Sequence, residues 1–387
     1  MRTQRRILSA AGAVALLGAM TACGSSGGSQ AAGSSSKLSS SVTSALSSSI
    51  AKYESVPGWT APGPSVNVAA LAGKRIFVIP EIPNAFNNEL NTVMTQIAGK
   101  AHIKLTIYAN QGQVSQWAQG MSEAISQHSN LIILSAAPDP AELQPQLAAA
   151  KRAGIPVLVT HFYDNSSPTP PACTACAAGV SGLETAPFNT AATLMAQWAT
   201  LKTGGTGVIL APVLSEVPIT AGMVASMHSV FHADCPGCQV KILTLPITDL
   251  GTPAFQTALQ GAIQAMPKLN YVIDQIDGMV PATIAALRLE RRTSVGIATY
   301  NGTPAILGDI PSKNFVTMDV GESAPWIAYA SMDQAFRLLA GKPTVKDSNP
   351  VRIWFAGNVS QAGNPPSLEQ GYGTTFGSGF LKLWGLS

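Results

Sequence analysis

The sequence predicts an α/β protein of two lobes, each built on a parallel β-sheet. Three observations carry that expectation. Apolar runs of about five residues alternate with helically spaced segments of about a dozen, the pattern of βαβ units and a parallel sheet. The alternation runs from residue 75 to residue 160 and starts afresh at residue 187. The 387-residue chain is 46% apolar and only 11% charged, so it holds core enough for two domains of ordinary size.

The elements follow in order. Residues 75–80 form a first short apolar run, and 87–101 carry helical spacing. A second run at 105–109 precedes a helix near 113–128, a third at 131–135 precedes a helix over 141–153, and 155–160 is the fourth strand. In the second series, helices at 187–202, 220–232, 254–266 and 280–291 lead into strands at 207–211, 240–245, 271–274 and 295–299. Two last strands, 315–318 and 351–355, flank a helix near 325–340. Right-handed crossovers place these helices on both faces of each sheet. The chain enters the second lobe near 182–186, with further crossings expected around 319–322 and 342–349. The N-terminal lobe is thus 73–183 with about 320–344, and the C-terminal lobe 184–319 with about 345–356. The Gly-rich tail, 357–387, ends in an apolar latch from Phe380 to Trp384 that covers a lobe.

Ahead of the lobes the composition changes. Arg2, Arg5 and Arg6 precede an apolar run from Ile7 to Met20. A basic start, a short apolar stretch and small residues before a cut make 1–22 an export signal, too short to span a membrane. Met20-Thr21-Ala22-Cys23 resembles a bacterial lipobox, with Met where Leu is usual, which implies that Cys23 becomes a lipidated first residue. Residues 23–72 read as a Ser/Gly/Ala-rich tether and lead-in, with a weak helix near 38–53 and a Trp59 that packs on the body. A stretch so rich in small polar residues buries too little to fold by itself. These features place the protein outside the cytoplasm, lipid-anchored to the outer face of the cell membrane, where ATP and reduced dinucleotides are scarce.

Three of the 23 basic residues lie in the signal, which holds no acid, leaving 20 against 20 acidic residues in the rest. That balance, without a basic stripe, argues against a nucleic-acid partner. Besides Cys23 there are two pairs, Cys173-x-x-Cys176 and Cys235-x-x-Cys238. An even number in an oxidising compartment favours two structural disulfides. A zinc site joining both pairs and a redox dithiol are the alternatives. The spacer between pairs is far longer than in compact zinc modules, and Cys235-Pro236-Gly237-Cys238 runs into a strand rather than opening a helix, as redox pairs usually do. The pairing is open in the sequence; each CxxC closing on itself is favoured because each sits in its own turn.

Several joints carry a resemblance. They are Ile79-Pro80-Glu81-Ile82-Pro83-Asn84-Ala85-Phe86, then Leu131 to Ser135 with Asp139 and Ala141, then Ala153-Gly154-Ile155-Pro156-Val157, and finally Tyr300-Asn301-Gly302-Thr303-Pro304. In order and spacing they resemble the type I periplasmic binding proteins, especially the ribose-binding-like sugar group, from about residue 73 to residue 356. The resemblance implies two Rossmann-like lobes joined by three hinge crossings that close on one small ligand. It also implies an ABC permease as the partner that receives the ligand, and a monomer.

Such clefts lie at the carboxyl ends of parallel strands. The pattern puts Phe86, Ser135, His161, Phe162, Glu216, Asp277, Asn301 and Asp319 there. Phe86 stands where the sugar group carries a stacking aromatic. His161-Phe162 replaces its Asp-Arg pair, Ile276 its Asn and Asn301 an Asp, and no Arg occurs between Ala211 and Leu287. These departures predict a pocket less charged and more apolar than a ribose pocket, suited to a sugar derivative, a polyol or an aromatic compound. Each residue also has a plain structural use. Phe86 and Phe162 can pack in a core, Asn301 can shape a turn and Asp277 can cap a helix.

No nucleophile elbow, phosphate-binding Gly loop or His-rich metal motif occurs, and the five His are scattered. The expected function is therefore solute binding for an ABC importer, with no catalysis, cofactor or metal. A binding protein that signals to a membrane receptor is the alternative.

Overall fold

The computed structural model describes residues 37–136, 138–215, 217, 219–312, 314–347 and 349–386. The export signal and Cys23 lie outside them. A leading helix, α1 (Ser40–Ala51), is followed by β1 (Arg75–Pro80), α2 (Ala85–Lys100), β2 (Lys104–Ile107), α3 (Val114–Ser126), β3 (Leu131–Ser135), α4 (Gln144–Arg152), β4 (Val157–Asp164) and β5 (Gly182–Ala186). The five strands form one parallel sheet in the order β2-β1-β3-β4-β5.

The chain continues as α5 (Phe188–Lys202), β6 (Val208–Leu214), α6 (Thr220–Asp234), β7 (Gln239–Leu245), α7 (Pro253–Gln264), β8 (Tyr271–Ile273), α8 (Val280–Leu289), β9 (Gly296–Asn301), α9 (Pro304–Asp309) and β10 (Val316–Glu322). It ends with α10 (Ala324–Leu339), β11 (Val351–Phe355) and α11 (Thr375–Leu383). The second sheet has the order β11-β10-β9-β8-β6-β7 and is parallel except for the β10–β11 pair. This is the two-lobed, mostly parallel α/β architecture that the alternating pattern predicts.

Central strands are buried on both faces, as all five residues of β3 are, because crossover helices cover both sides of a parallel sheet. The edge strands β2 and β7 alternate exposed and partly buried positions and carry Lys104 and Lys241 outward, which blunts an edge against further pairing. In the first sheet, Phe77, Ile79, Ile132, Leu134, Val157 and Val159 share one core, and Ile76, Val78, Ile133 and Leu158 belong to the other face. That second face is covered by α2 and by α10, whose Trp326, Ile327, Ala330 and Phe336 are buried there. The chain thus leaves the second sheet after β10, packs α10 on the first lobe and returns to the second sheet as β11. Asn84 caps α2 and Ser323 caps α10 with their side-chain oxygens.

Strand and helix centres fall where the spacing puts them, but several ends differ. The fourth strand runs on to Asp164 and β10 runs on to Glu322, each four residues past its expected end. Both extensions lie where polar residues follow an apolar run, so hydrophobic patterning stops before the backbone pairing does. Gly182–Ala186 is a strand of the first sheet rather than a connector, and α9 is an added short helix.

The tether and lead-in are packed over much of their described length. Leu46 and Ile50, one turn apart, bury α1 on α5. The Tyr53 carbonyl accepts from Ile353 N–H at 2.8 Å, and Val66 and Val68 N–H donate to Leu383 and Trp384. Two apolar side chains at i and i+4 suffice for a docked helix, which the small-residue composition hides. Trp59 packs edge-on against Phe380 at 5.5 Å. The latch is the end of α11, where Trp384 stacks on Tyr329 and meets Phe336 on α10. Cys173–Cys176 and Cys235–Cys238 are each bonded within their own turn. No helix among the described residues is long and apolar enough to cross a membrane.

Candidate functional site

The site is built around a break in β4. Pairing with β5 shifts register between Thr160 and Asp164, and His161 takes a φ of 50°, a left-handed conformation that costs a non-Gly residue about 1–3 kcal/mol. Strict alternation would put His161 on the Val157–Val159 face. The break moves Phe162 into that core instead and frees His161 to turn toward the second lobe. There the His161 ring lies between Phe86, at the start of α2, and Phe188, at the start of α5, with centroids 5.3 and 5.2 Å away. Its Nε2 lies 2.8 Å from Glu322 Oε2, and its backbone N–H donates to Glu184 Oε2 at 3.0 Å.

Glu322 comes from the other sheet. Met318, Val320 and Glu322 alternate on one face of β10, the face that also holds Tyr300 and Phe188. The Tyr300 hydroxyl donates to Glu322 Oε2 at 2.5 Å. The other oxygen, Oε1, is buried and has no donor among the described residues. Glu184, from β5, accepts from Asn349 Nδ2 and, at 3.4 Å, from Ser331 Oγ. Glu81 follows the end of β1, its N–H donating to the Ser135 carbonyl at 3.0 Å. Two of the acids, buried Glu184 and half-buried Glu81, hold protons at neutral pH or close to it. Burial pushes Glu81 up to about 7 and Glu184 up to about 8, each opposed by the nearby His161. Burial alone would push His161 down, but Glu322, Glu184 and Glu81 outweigh it and raise the imidazolium above its ordinary value.

A second polar group lies in the second lobe, on the face of β9 and β10 opposite Tyr300 and Glu322. Asp277 accepts from Thr299 Oγ1 at 3.0 Å and from both Thr303 N–H and Oγ1, at 2.7 and 2.6 Å. Asp319 accepts from Gly302 N–H at 3.0 Å, and its Oδ2 has no donor among the described residues. Burial pushes Asp277 up to about 6 and Asp319 well above the carboxylate range, and the two carboxyls interact directly. Two buried acids this close favour one shared proton. They hold the turn in which Asn301 and Gly302 take φ values of 130° and 70°.

Of the residues singled out in the sequence, the structure brings Phe86 and His161 into one group and Asp277 and Asp319 into another, with Asn301 at the end of β9. Ser135 is buried where β3 ends, paired with Thr160 just before His161. Phe162 is a core residue, stacked edge-on against Tyr163 at 5.0 Å, and Glu216 lies outside the described residues. Sequence reasoning missed Glu81, Glu184, Phe188, Tyr300 and Glu322. Extending the 315–318 run by alternation, two residues at a time, reaches Glu322. Glu81 and Tyr300 lay inside quoted motifs. The polar lining also differs from the expectation of low charge. Among the described residues no arginine is bonded to the acids of the group, and several acids converge on it.

Two surface hollows, of about 330 and 370 Å3, lie elsewhere. They border the amino ends of β4 and β5 and of β9 and β10, opposite the strand ends that carry these side chains. Among the described residues no cluster suited to a metal ion occurs.

A two-lobed α/β protein with aromatic and acidic side chains from both sheets meeting at their carboxyl ends defines a class, the cleft-bearing proteins of paired parallel sheets. The sequence profile of the periplasmic binding protein domain matches residues 75–343, and the chain belongs to that family. No curated protein matches the chain. Solved structures share the fold at low identity. An ABC sugar transporter subunit from Rhodobacter sphaeroides 2.4.1 superposes with a TM-score of 0.64 at 16% identity, covering 74% of this chain and 100% of that one. An ABC transporter solute-binding protein from Agrobacterium vitis bound with α-D-tagatopyranose gives 0.66 at 14% identity, covering 74% and 96%. One from Bacillus halodurans C-125 with bound myo-inositol gives 0.64 at 14% identity, covering 76% and 98%.

Proposed function

We propose that this chain is an extracytoplasmic solute-binding lipoprotein of an ABC importer. It holds a small polyhydroxylated or semi-polar molecule between its lobes and hands it to the permease, with Cys23 as the lipid anchor. One observation carries the reading. His161 from the first sheet and Glu322 from the second meet at 2.8 Å with the rings of Phe86, Phe188 and Tyr300 around them. A ligand there touches both lobes, and only a ligand that does so can favour their closed arrangement. The bound tagatose and myo-inositol of the similar structures support a ligand of this size and polarity.

Thermal denaturation of the purified chain against a panel of sugars, polyols and aromatic acids tests this. A cognate compound raises the melting temperature and lowers the radius of gyration in small-angle scattering. A panel-wide absence of both effects overturns the proposal.

A further inference from the structure

We infer that the solute bound beside Glu322 carries a protonated amine. The inference rests on the solute-binding reading above and names the class of molecule. Three carboxyl groups lie near His161: Glu322 bonded to its ring, Glu184 bonded to its backbone N–H, and Glu81. Among the described residues no lysine or arginine is hydrogen-bonded to any of the three.

The lining therefore sets a carboxyl group with a spare acceptor among three aromatic rings, with no lysine or arginine bonded to it among the described residues. Glu322 Oε1 is an acceptor on a fully buried residue with no donor among the described residues, and a buried polar oxygen left unpaired is costly.

The chain's own imidazolium shows what the place accepts. It is an organic cation lying 5.3 and 5.2 Å from two aromatic rings, with a carboxylate at 2.8 Å. Rings and a carboxylate in that arrangement recognise an ammonium group. A hydroxyl of a neutral sugar could accept a place there but brings no charge. An anionic sugar acid would meet the unpaired oxygen of Glu322. An ammonium group brings the charge and three donors on one atom, enough for Glu322 Oε1 and Oε2 together. As it takes Glu322, His161 loses the partner that holds its proton, burial dominates, and the ring becomes neutral. Binding of the amine then releases a proton, and binding of a neutral analogue does not. The titratable groups facing the exchange are Glu81, Glu184 and Tyr300 as well as His161 and Glu322.

Titration calorimetry at pH 7, in phosphate and in Tris, measures affinity and proton release together. The probes are D-glucosamine against D-glucose, and an amino-deoxy-inositol against myo-inositol. The expected result is an amine bound at least about tenfold more tightly than its hydroxyl twin, a difference of about 1.4 kcal/mol, with about one proton released. In Glu322→Gln that preference disappears. Phe188→Leu, which keeps an apolar side chain, reduces it. If a hydroxyl twin binds as tightly as its amine, the inference falls and the solute-binding reading stands. If none of the four compounds binds, both fall for this class of ligand.

Discussion

Replacing Glu322 by Gln should collapse the titration of His161. The amide keeps an acceptor for Tyr300 and for the imidazole but removes the charge. With Nε2 and Oε2 2.8 Å apart, the centres of charge are about 4 Å apart, and at an effective dielectric of about 20 they attract by about 4 kcal/mol. That is equivalent to about three pH units. The expected change is therefore a clear downward move of the ring's titration. The wild-type ring titrates above the ordinary histidine value of about 6.5 because its acids outweigh burial; in the variant burial wins and the ring titrates below it. Histidine-labelled protein followed by NMR across pH 4–9 reads this directly, and His161→Gln identifies the signal among the five histidines. A shift of less than half a unit in Glu322→Gln would refute the interlobe ion pair.

Three further outcomes follow from the packing and charge. Glu184 and Asp274 are fully buried and pushed up to about 8, so each keeps a proton when folded that the unfolded chain loses above pH ~4.5. Because their folded values are raised, this stabilisation is full at low pH and is lost as pH rises toward 8, at about 1.4 kcal/mol per pH unit for each proton held only in the folded state. The urea midpoint should therefore fall between pH 5 and pH 8, and a rising midpoint would contradict it. Asp333→Ala leaves the buried Arg337 guanidinium and Trp384 indole N–H without their shared acceptor. It should cost about 3–5 kcal/mol in denaturant unfolding, and a loss under 1 kcal/mol would show that the pair is not buried as described. Gly321→Ala puts a Cβ onto Trp354 and Tyr372, both buried and bonded to each other at 3.0 Å. It should destabilise by about 1–3 kcal/mol, read as a lower melting temperature, and an unchanged value would mean that this side of β10 is loosely packed.

The two sheets were legible because their strands are apolar runs bounded by Gly, Pro and polar residues. The site was half legible. Phe86 and His161 sit beside strand ends, where a position in the pattern predicts a position in space. The register break at His161 is a backbone event with no signature in side-chain polarity, so Phe162 seemed as suitable as its neighbour. Glu184 was hidden because a five-residue strand containing Gly, Glu and Thr does not look apolar, and yet the sheet and α10 bury it completely. The fit of α1 was concealed in the same way, since two apolar residues in a Ser-rich helix are enough once a partner surface exists.

The return of α10 to the first lobe dictates an order of assembly. The face formed by Ile76, Val78, Ile133 and Leu158 has no complete cover until residues 324–339 arrive. The bonds from Tyr53 to Ile353 and from Val66 to Leu383 join residues some 300 positions apart. Contacts so distant along the chain close late, because the loop entropy must be met before they form. A nascent chain stopped anywhere before α10 therefore presents an open sheet face rather than a finished lobe. Folding is completed only after nearly the whole polypeptide has been made, and fragments ending before residue 324 should be recovered as aggregates and not as a stable N-terminal domain.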